Sequence, residues 1–290
     1  QSLLFALLSI MNPDKPRKVA VEMPSYAPVS QFPRALGFEV IPFWRGPKNS
    51  EDCGSWRIDR ESLQSIIDDV CAVITTPVQN PTGWMMDEDD QQWLSNICSD
   101  YDVGLISDEV YLDTTIGTPY HRPMYKYGPH CVSVNSLTKC YGLGALRMGW
   151  IIGSEKTATN ALRVMNNMQG MLATPSLRLA EMAWPYLEEP LALIKKRRED
   201  NLQLLIDVLS ANGIEWTPPP TGIFGCIPLP SNVDCQRFVE DICSKHGVLA
   251  TPALMFSSKL SNMVRIAWGG EPEAFVAAMD AFNACLQELK

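Results

Sequence analysis

A chain of 290 residues with 46% apolar, 20% charged and 9% aromatic residues has the composition of a compact globular protein, which excludes disordered, collagen-like and coiled-coil classes. Its 24 Lys and Arg against 33 Asp and Glu leave a net charge of −9, so a nucleic-acid groove, which needs a concentrated basic face, is not expected. The nine cysteines lack C-x-x-C spacing, and His121, His130 and His246 stand far apart; reduced, buried thiols in a cytoplasmic setting are expected, and a metal site is not.

The chain opens on an apolar helical pattern over residues 2–11, too short to span a bilayer and without the basic flank of a signal peptide, so no membrane partner is expected. Because that pattern starts directly at Gln1, an upstream segment is expected to be absent. Short apolar runs at 18–22, 38–43, 72–76, 103–107 and 131–134 read as strands. Amphipathic stretches with acidic starts at 59–69 and 87–99 read as helices between them. Alternating β and α elements predict an α/β fold with a mostly parallel sheet.

One long polar helix is predicted over about 190–212, closed by Asn212-Gly213, and its basic run Lys195-Lys196-Arg197-Arg198 reads as a solvated face. The Pro-rich breaker at 217–222 then changes the texture. Strands at 223–228, 248–250 and 263–268 and helices at 234–246 and 271–289 predict a smaller α/β domain. The expected division is 1–187 for the large domain and 188–290 for the connecting helix and small C-terminal domain.

Several polar groups fall where these strands end. Asn80-Pro81-Thr82-Gly83 follows the third strand, and Asp108-Glu109-Val110-Tyr111 ends the fourth. Parallel sheets place ligands at that edge, although a Pro-Gly turn and a solvated carboxylate are the plainer readings. A partly buried carboxylate there could hold a proton on a ring nitrogen. After the fifth strand comes Ser136-Leu137-Thr138-Lys139, with Arg147 eight residues on. A lysine can form a Schiff base with an aldehyde, and two hydroxyls with a guanidinium suit a phosphate. The glycines 142–149 nearly spell a dinucleotide fingerprint, but Arg147 takes the third glycine's place and no acid follows at the required distance, which excludes NAD. Arg265, in the last strand, is either a cation on an edge strand or a fork for a carboxylate. Trp84 and Phe224 fall near these motifs, with core packing the commoner fate of such aromatics.

Taken in order, Tyr26, the Asn80 turn, Asp108 to Tyr111, Ser136 to Lys139, Arg147 and Arg265 resemble the class I/II aminotransferases, fold-type-I pyridoxal-phosphate-dependent enzymes, over essentially the whole chain. The resemblance implies pyridoxal 5'-phosphate as cofactor, with Lys139 as the Schiff-base lysine that also shuttles a proton. It implies that Asp108 protonates the pyridine nitrogen, that Asn80 and Tyr111 hydrogen-bond the ring's phenolic oxygen, and that Tyr26 stacks on the ring. Ser136, Thr138 and Arg147 would hold the phosphate with the start of the first helix, where Gln1 and Ser2 would end the phosphate loop. Arg265, with Asn80, would take the substrate carboxylate. The implied function is transfer of an amino group from an α-amino acid to a 2-oxo acid, in a homodimer, with part of the family's N-terminal segment missing. Other fold-type-I reactions (lyase, decarboxylase, cyclase or oxidase) and a non-catalytic sensor domain are the alternatives.

Overall fold

A computed structural model of the chain describes residues 1–49 and 52–289. The chain enters through helix α1 (Ser2–Ile10) and builds strand β1 (Lys18–Met23), helix α2 (Ala27–Ala35), strands β2 (Glu39–Asn49) and β3 (Asp52–Ile58), short helix α3 (Arg60–Gln64) and strand β4 (Ala72–Thr75). Helix α4 (Glu88–Asp100), strands β5 (Gly104–Asp108), β6 (Cys131–Ser136) and β7 (Gly149–Ile152), and helices α5 (Glu155–Met168) and α6 (Thr174–Ala183) follow. These strands form one seven-stranded sheet in the order β3-β2-β1-β4-β5-β6-β7. Its five inner strands are parallel, while β3 and β7 are antiparallel at the two edges. The inner strands are largely apolar because both sheet faces are covered: Val19, Ala20 and Val21, then Ala72, Val73 and Ile74, are fully buried.

The long helix α7 (Glu188–Ala211) leads to a three-stranded antiparallel sheet in the order β8-β10-β9, made of β8 (Phe224–Pro228), β9 (Thr251–Pro252) and β10 (Met263–Ala267). Helix α8 (Cys235–Arg237) and helix α9 (Pro272–Gln287) pack on it around Phe238, Trp268 and Phe282. Helix α7 ends as read, with Gly213 at φ +74° and Ile214 N–H returning to Leu209 O at 3.0 Å. Among the described residues no helix is long and apolar enough to cross a membrane, and no group of three or more His, Cys, Asp or Glu could hold a metal ion. Among the described residues, eight cysteines are buried free thiols.

Several sequence expectations need correction. The second strand does not stop at 43 but runs on into a β2–β3 hairpin with a register shift between Pro47 and Asn49. The predicted 59–69 helix breaks after one turn: Asp59 caps it by accepting from Ser62 N–H at 3.1 Å, but Ile66 leaves the helical region and a 3-10 turn follows at Ile67–Asp69. Residues 248–250 are not a strand; the pairing falls on Thr251–Pro252. The 234–246 helix is one α turn followed by a π turn at Phe238–Cys243.

The basic run on α7 is not merely solvated either. Lys195 donates to Ile116 O at 2.5 Å, Arg197 pairs with Glu271, and Arg198 donates to the carbonyls of Gly222, Pro219 and Pro220 at 2.8, 3.0 and 3.1 Å. Arg198 thus takes up carbonyls of the Pro-rich segment, where proline offers no N–H of its own.

At the carboxyl edge of the large sheet, Glu22 and Arg45 form a buried ion pair, Nε to Oε1 3.2 Å, with side chains 2% and 0% exposed. Gln79 Nε2 donates to Glu22 Oε1 at 3.1 Å, Thr75 donates to Oε2, and Arg45 reaches Trp84 O at 3.2 Å. The pair thus brackets the 77–84 turn. Removing one partner strands the other in a dry site, so Arg45→Met is expected to lower unfolding free energy in urea by about 3 kcal/mol, with part recovered in the double variant Glu22→Gln, Arg45→Met. A loss below about 1 kcal/mol for the single variant would show that the pair does not hold the turn.

Candidate active site

Strand order reverses between β1 and β4, and at such a switch point the loops leaving adjacent strands part to open a crevice. A cavity of about 440 Å³ lies there. Its lining brings together Tyr26, Asn80, Asp108, Tyr111, Lys139 and Arg265, six of the residues singled out from sequence. Each of the first five comes from a loop or strand end at the same sheet edge, and Arg265 is carried in by β10.

Asp108 closes β5, and its Oδ1 accepts from Val110 N–H at 3.3 Å. Burial raises its carboxyl to about 6, against the opposing pull of that N–H and of the Lys139 ammonium. Its neighbour Glu109 turns away from the cavity to accept from Ser133 Oγ at 2.6 Å and Met124 N–H at 2.7 Å, and burial lifts it to about 7. Tyr111 is buried, with Phe224 edge-on at 4.6 Å and 66°, and burial pushes its phenol up to about 12 while Arg265 draws it down. The Lys139 Nζ stands 5.9 Å from the Tyr111 ring centre.

Arg265 sits on the central strand of the small sheet, which overturns the edge-strand alternative. Its guanidinium lies 4.3 Å over the Phe224 ring, and its Nε is buried without a partner. Burial lowers its pKa, the mark of a cation short of an anion. Asn80 Oδ1 is likewise buried and unpartnered. The turn that carries Asn80 requires its glycine: Gly83 has φ +75°, and an ideal Cβ there would meet Phe224 O at 2.2 Å.

The phosphate candidates divide. A Cβ on Gly149 would stand 3.2 Å from Ser2 Oγ and 3.3 Å from Ser136 Cβ, so the bare backbone of Gly149 lets those two serines converge at the start of α1. Thr138 N–H donates to Ser136 Oγ at 3.3 Å, and no side chain caps the α1 N-terminus. None of Gln1, Ser2, Ser136, Thr138 and Arg147 lines the cavity itself; Gln1 and Arg147 are exposed, and Arg147, left-handed at φ +54°, donates to Gly144 O at 3.2 Å. Pyridoxal phosphate fits this donor set: two hydroxyls and free helix N–H groups suit a dianion, and the unpartnered Asn80 amide, the Asp108 carboxyl and the Lys139 amine face one cavity.

Sequence reasoning missed Thr251, in β9, and Met255 and Phe256, just beyond it, which line the same cavity. Their segment carries no periodic pattern, and Met255 is 72% exposed, so nothing in composition marks them. It also missed Asp113, whose partners lie far along the chain.

The chain matches the family profile for aminotransferase class I and II over residues 1–282. An arginine–pyruvate transaminase of Pseudomonas aeruginosa is 24% identical over 94% of this chain and 70% of its own length. A threonine-phosphate decarboxylase of Salmonella typhimurium is 24% identical over 63% of this chain and 52% of its own. A pyridoxal-phosphate-dependent aminotransferase from Streptococcus suis superposes with a TM-score of 0.88 at 22% identity, over all of this chain and 75% of that one. The chain belongs to the aminotransferase class I and II family, the fold-type-I enzymes that work with pyridoxal phosphate.

Proposed function

We propose that the chain is an aminotransferase that moves the amino group of an α-amino acid to a 2-oxo acid, with Lys139 as its central group. The observation that carries this reading is the meeting of an amine (Lys139), a desolvated carboxyl (Asp108) and a carboxylate-seeking guanidinium (Arg265) in one cavity. Bound there, pyridoxal phosphate supplies an aldehyde for amines and a ring that takes up the charge left when the substrate Cα–H bond breaks.

The chain's own residues do the rest. Lys139 takes the proton from the substrate Cα and returns it. Asp108 holds a proton on the ring nitrogen, a charge pair that the dry floor strengthens. Tyr111 and Asn80 donate to the ring's phenolic oxygen, and Tyr26, half exposed, offers a flat face for stacking. Ser2, Ser136, Thr138 and the α1 N-terminus hold the phosphate, with Arg147 and Gln1 closing over it. Arg265 orients the substrate carboxylate. A large unit of 1–187 and a small one of 188–290 are the working division, and a homodimer in the cytoplasm is the working assembly. Exposed apolar side chains at Leu177, Leu179, Met182, Trp184 and Tyr186 support self-association.

Three outcomes follow from these roles. Lys139→Ala is expected to lower single-turnover conversion of an amino acid to its 2-oxo acid by about 10²- to 10⁴-fold and to abolish a borohydride-stable cofactor mass on the chain. Release of CO₂ and an amine by the unaltered protein would instead favour decarboxylation. Arg265→Lys keeps the charge but loses the planar fork, so KM for the amino acid should rise about tenfold with kcat less affected.

The third concerns pH. Asp108 binds its proton more tightly folded than unfolded, so its contribution to stability is full below about 4 and is lost as pH rises through about 6. The cofactor-free protein should therefore melt lower at pH 7 than at pH 4.5 by a margin that Asp108→Asn reduces. An unchanged margin in the variant would sink the assignment of a desolvated carboxyl.

A further inference from the structure

Asp113 lies in the 3-10 turn Leu112–Thr115, just after Tyr111, and is buried. It does not line the cavity. Its Oδ2 accepts from Asn135 Nδ2 at 2.8 Å and from Tyr141 Oη at 2.8 Å, while Oδ1 stands 3.4 Å from His121 Nε2. Asn135 and Tyr141 are the two ends of the loop that carries Ser136, Thr138 and Lys139. One carboxylate oxygen therefore pins both ends.

The contacts continue outward from each end. Asn135 Oδ1 accepts the Ser136 N–H at 2.7 Å, and Cys140 Sγ donates to Val110 O at 3.1 Å, so the residues beside Lys139 are tied to the segment behind Tyr111. Burial, with Asp113 itself, pushes the Tyr141 phenol and the Cys140 thiol up, which keeps both as donors. Lys195, from α7, donates to Ile116 O at the far end of the same turn.

We propose that Asp113 is a positioning residue: it holds the 135–141 loop so that Lys139 is presented to the cavity. Its Asn135 arm sets the Ser136 end and its Tyr141 arm sets the Lys139 end. The role rests on the reading of Lys139 given above. A carboxylate is suited to it because one charged oxygen accepts two hydrogen bonds, each stronger than a neutral pair would give.

Tyr141→Phe tests the Lys139 arm with almost no change in volume, and Asp113→Asn serves as a second variant. In the cofactor-free chain, hydrogen exchange over 138–141 is expected to quicken about tenfold, the scale of one hydrogen bond to a charged group, with β5 and β6 still protected. Borohydride-trapped attachment of pyridoxal phosphate to Lys139 should slow about tenfold, while the Kd of pyridoxamine phosphate, which cannot attach to the lysine, stays within about threefold. Wild-type exchange in both variants overturns the proposal whether or not cofactor binds. So does attachment at the wild-type rate, or a fall in attachment matched by an equal loss of pyridoxamine phosphate binding, which would mark a general structural defect. If the unaltered chain takes no cofactor on Lys139, the aminotransferase reading fails on its own, and the exchange measurement still decides the role of Asp113.

Discussion

Parallel alignment of β1, β4, β5 and β6 is the constraint from which the site follows. Strands that run the same way end at the same edge, so the loops after Met23, Thr75, Asp108 and Ser136 all open on one side of the sheet. Their mostly apolar runs are buried on both faces, and polar side chains within them, such as Glu22 and Ser133, are buried with hydrogen-bond partners. The polar side chains that face the crevice are those at the strand ends, and the reversal of order beside β1 opens it. Such an edge is costly to build, since its carbonyls and side chains lose water without gaining a ladder. The Glu22–Arg45 pair offsets that cost by supplying donors to the 77–84 turn and acceptors to Thr75 and Gln79.

The electrostatic state of the cavity points to what fills it. Burial shifts Asp108 and Tyr111 toward their neutral forms and lowers Arg265, and Asn80 and Arg265 each hold a buried polar atom with no protein partner. Each group is displaced in the direction that an opposite charge or a hydrogen bond would reverse. A ligand with a protonated ring nitrogen for Asp108, an oxygen acceptor for Tyr111, a carboxylate for Arg265 and a hydrogen-bond donor for Asn80 Oδ1 would answer them together. Groups fixed in advance need no reorganisation when charge develops, which is the form in which a protein contributes most to such chemistry.

How much of this could be read from the sequence depended on range. Continuous apolar runs mark β1, β4, β5 and β6 because burial on both faces removes any alternation, and the site residues could be placed as strand-end residues without knowing the sheet order. The β2–β3 hairpin was hidden because Gly46 and Pro47 interrupt the pattern, and β7 because four residues at a sheet edge carry little signal. The side chain of Arg265 was ambiguous for a different reason: an edge strand and a central strand of three have the same local pattern, and only pairing with both β8 and β9 separates them. Asp113 was invisible because its partners stand 22 and 28 residues away, and nothing local distinguishes it from a solvated turn acid.

The same long-range logic links the two sheets. Gly83 leaves the Asn80 turn close enough to β8 that Cys226 Sγ reaches Pro81 O at 3.5 Å, and Phe224 on that strand touches both Tyr111 and Arg265. Helix α7 fastens the other side: Lys195 reaches the turn that holds Asp113, and three residues on Arg198 grips the Pro-rich segment that leads into β8. Arg265 and Lys139 therefore occupy positions set by a closed circuit through α7, the 112–116 turn, the lysine loop and the small sheet. A change in how α7 packs would move the guanidinium and the amine together, so the spacing between the carboxylate fork and the proton-moving group is a property of the whole circuit. That spacing is what a substrate must match, because its carboxylate and its Cα are joined by a single bond.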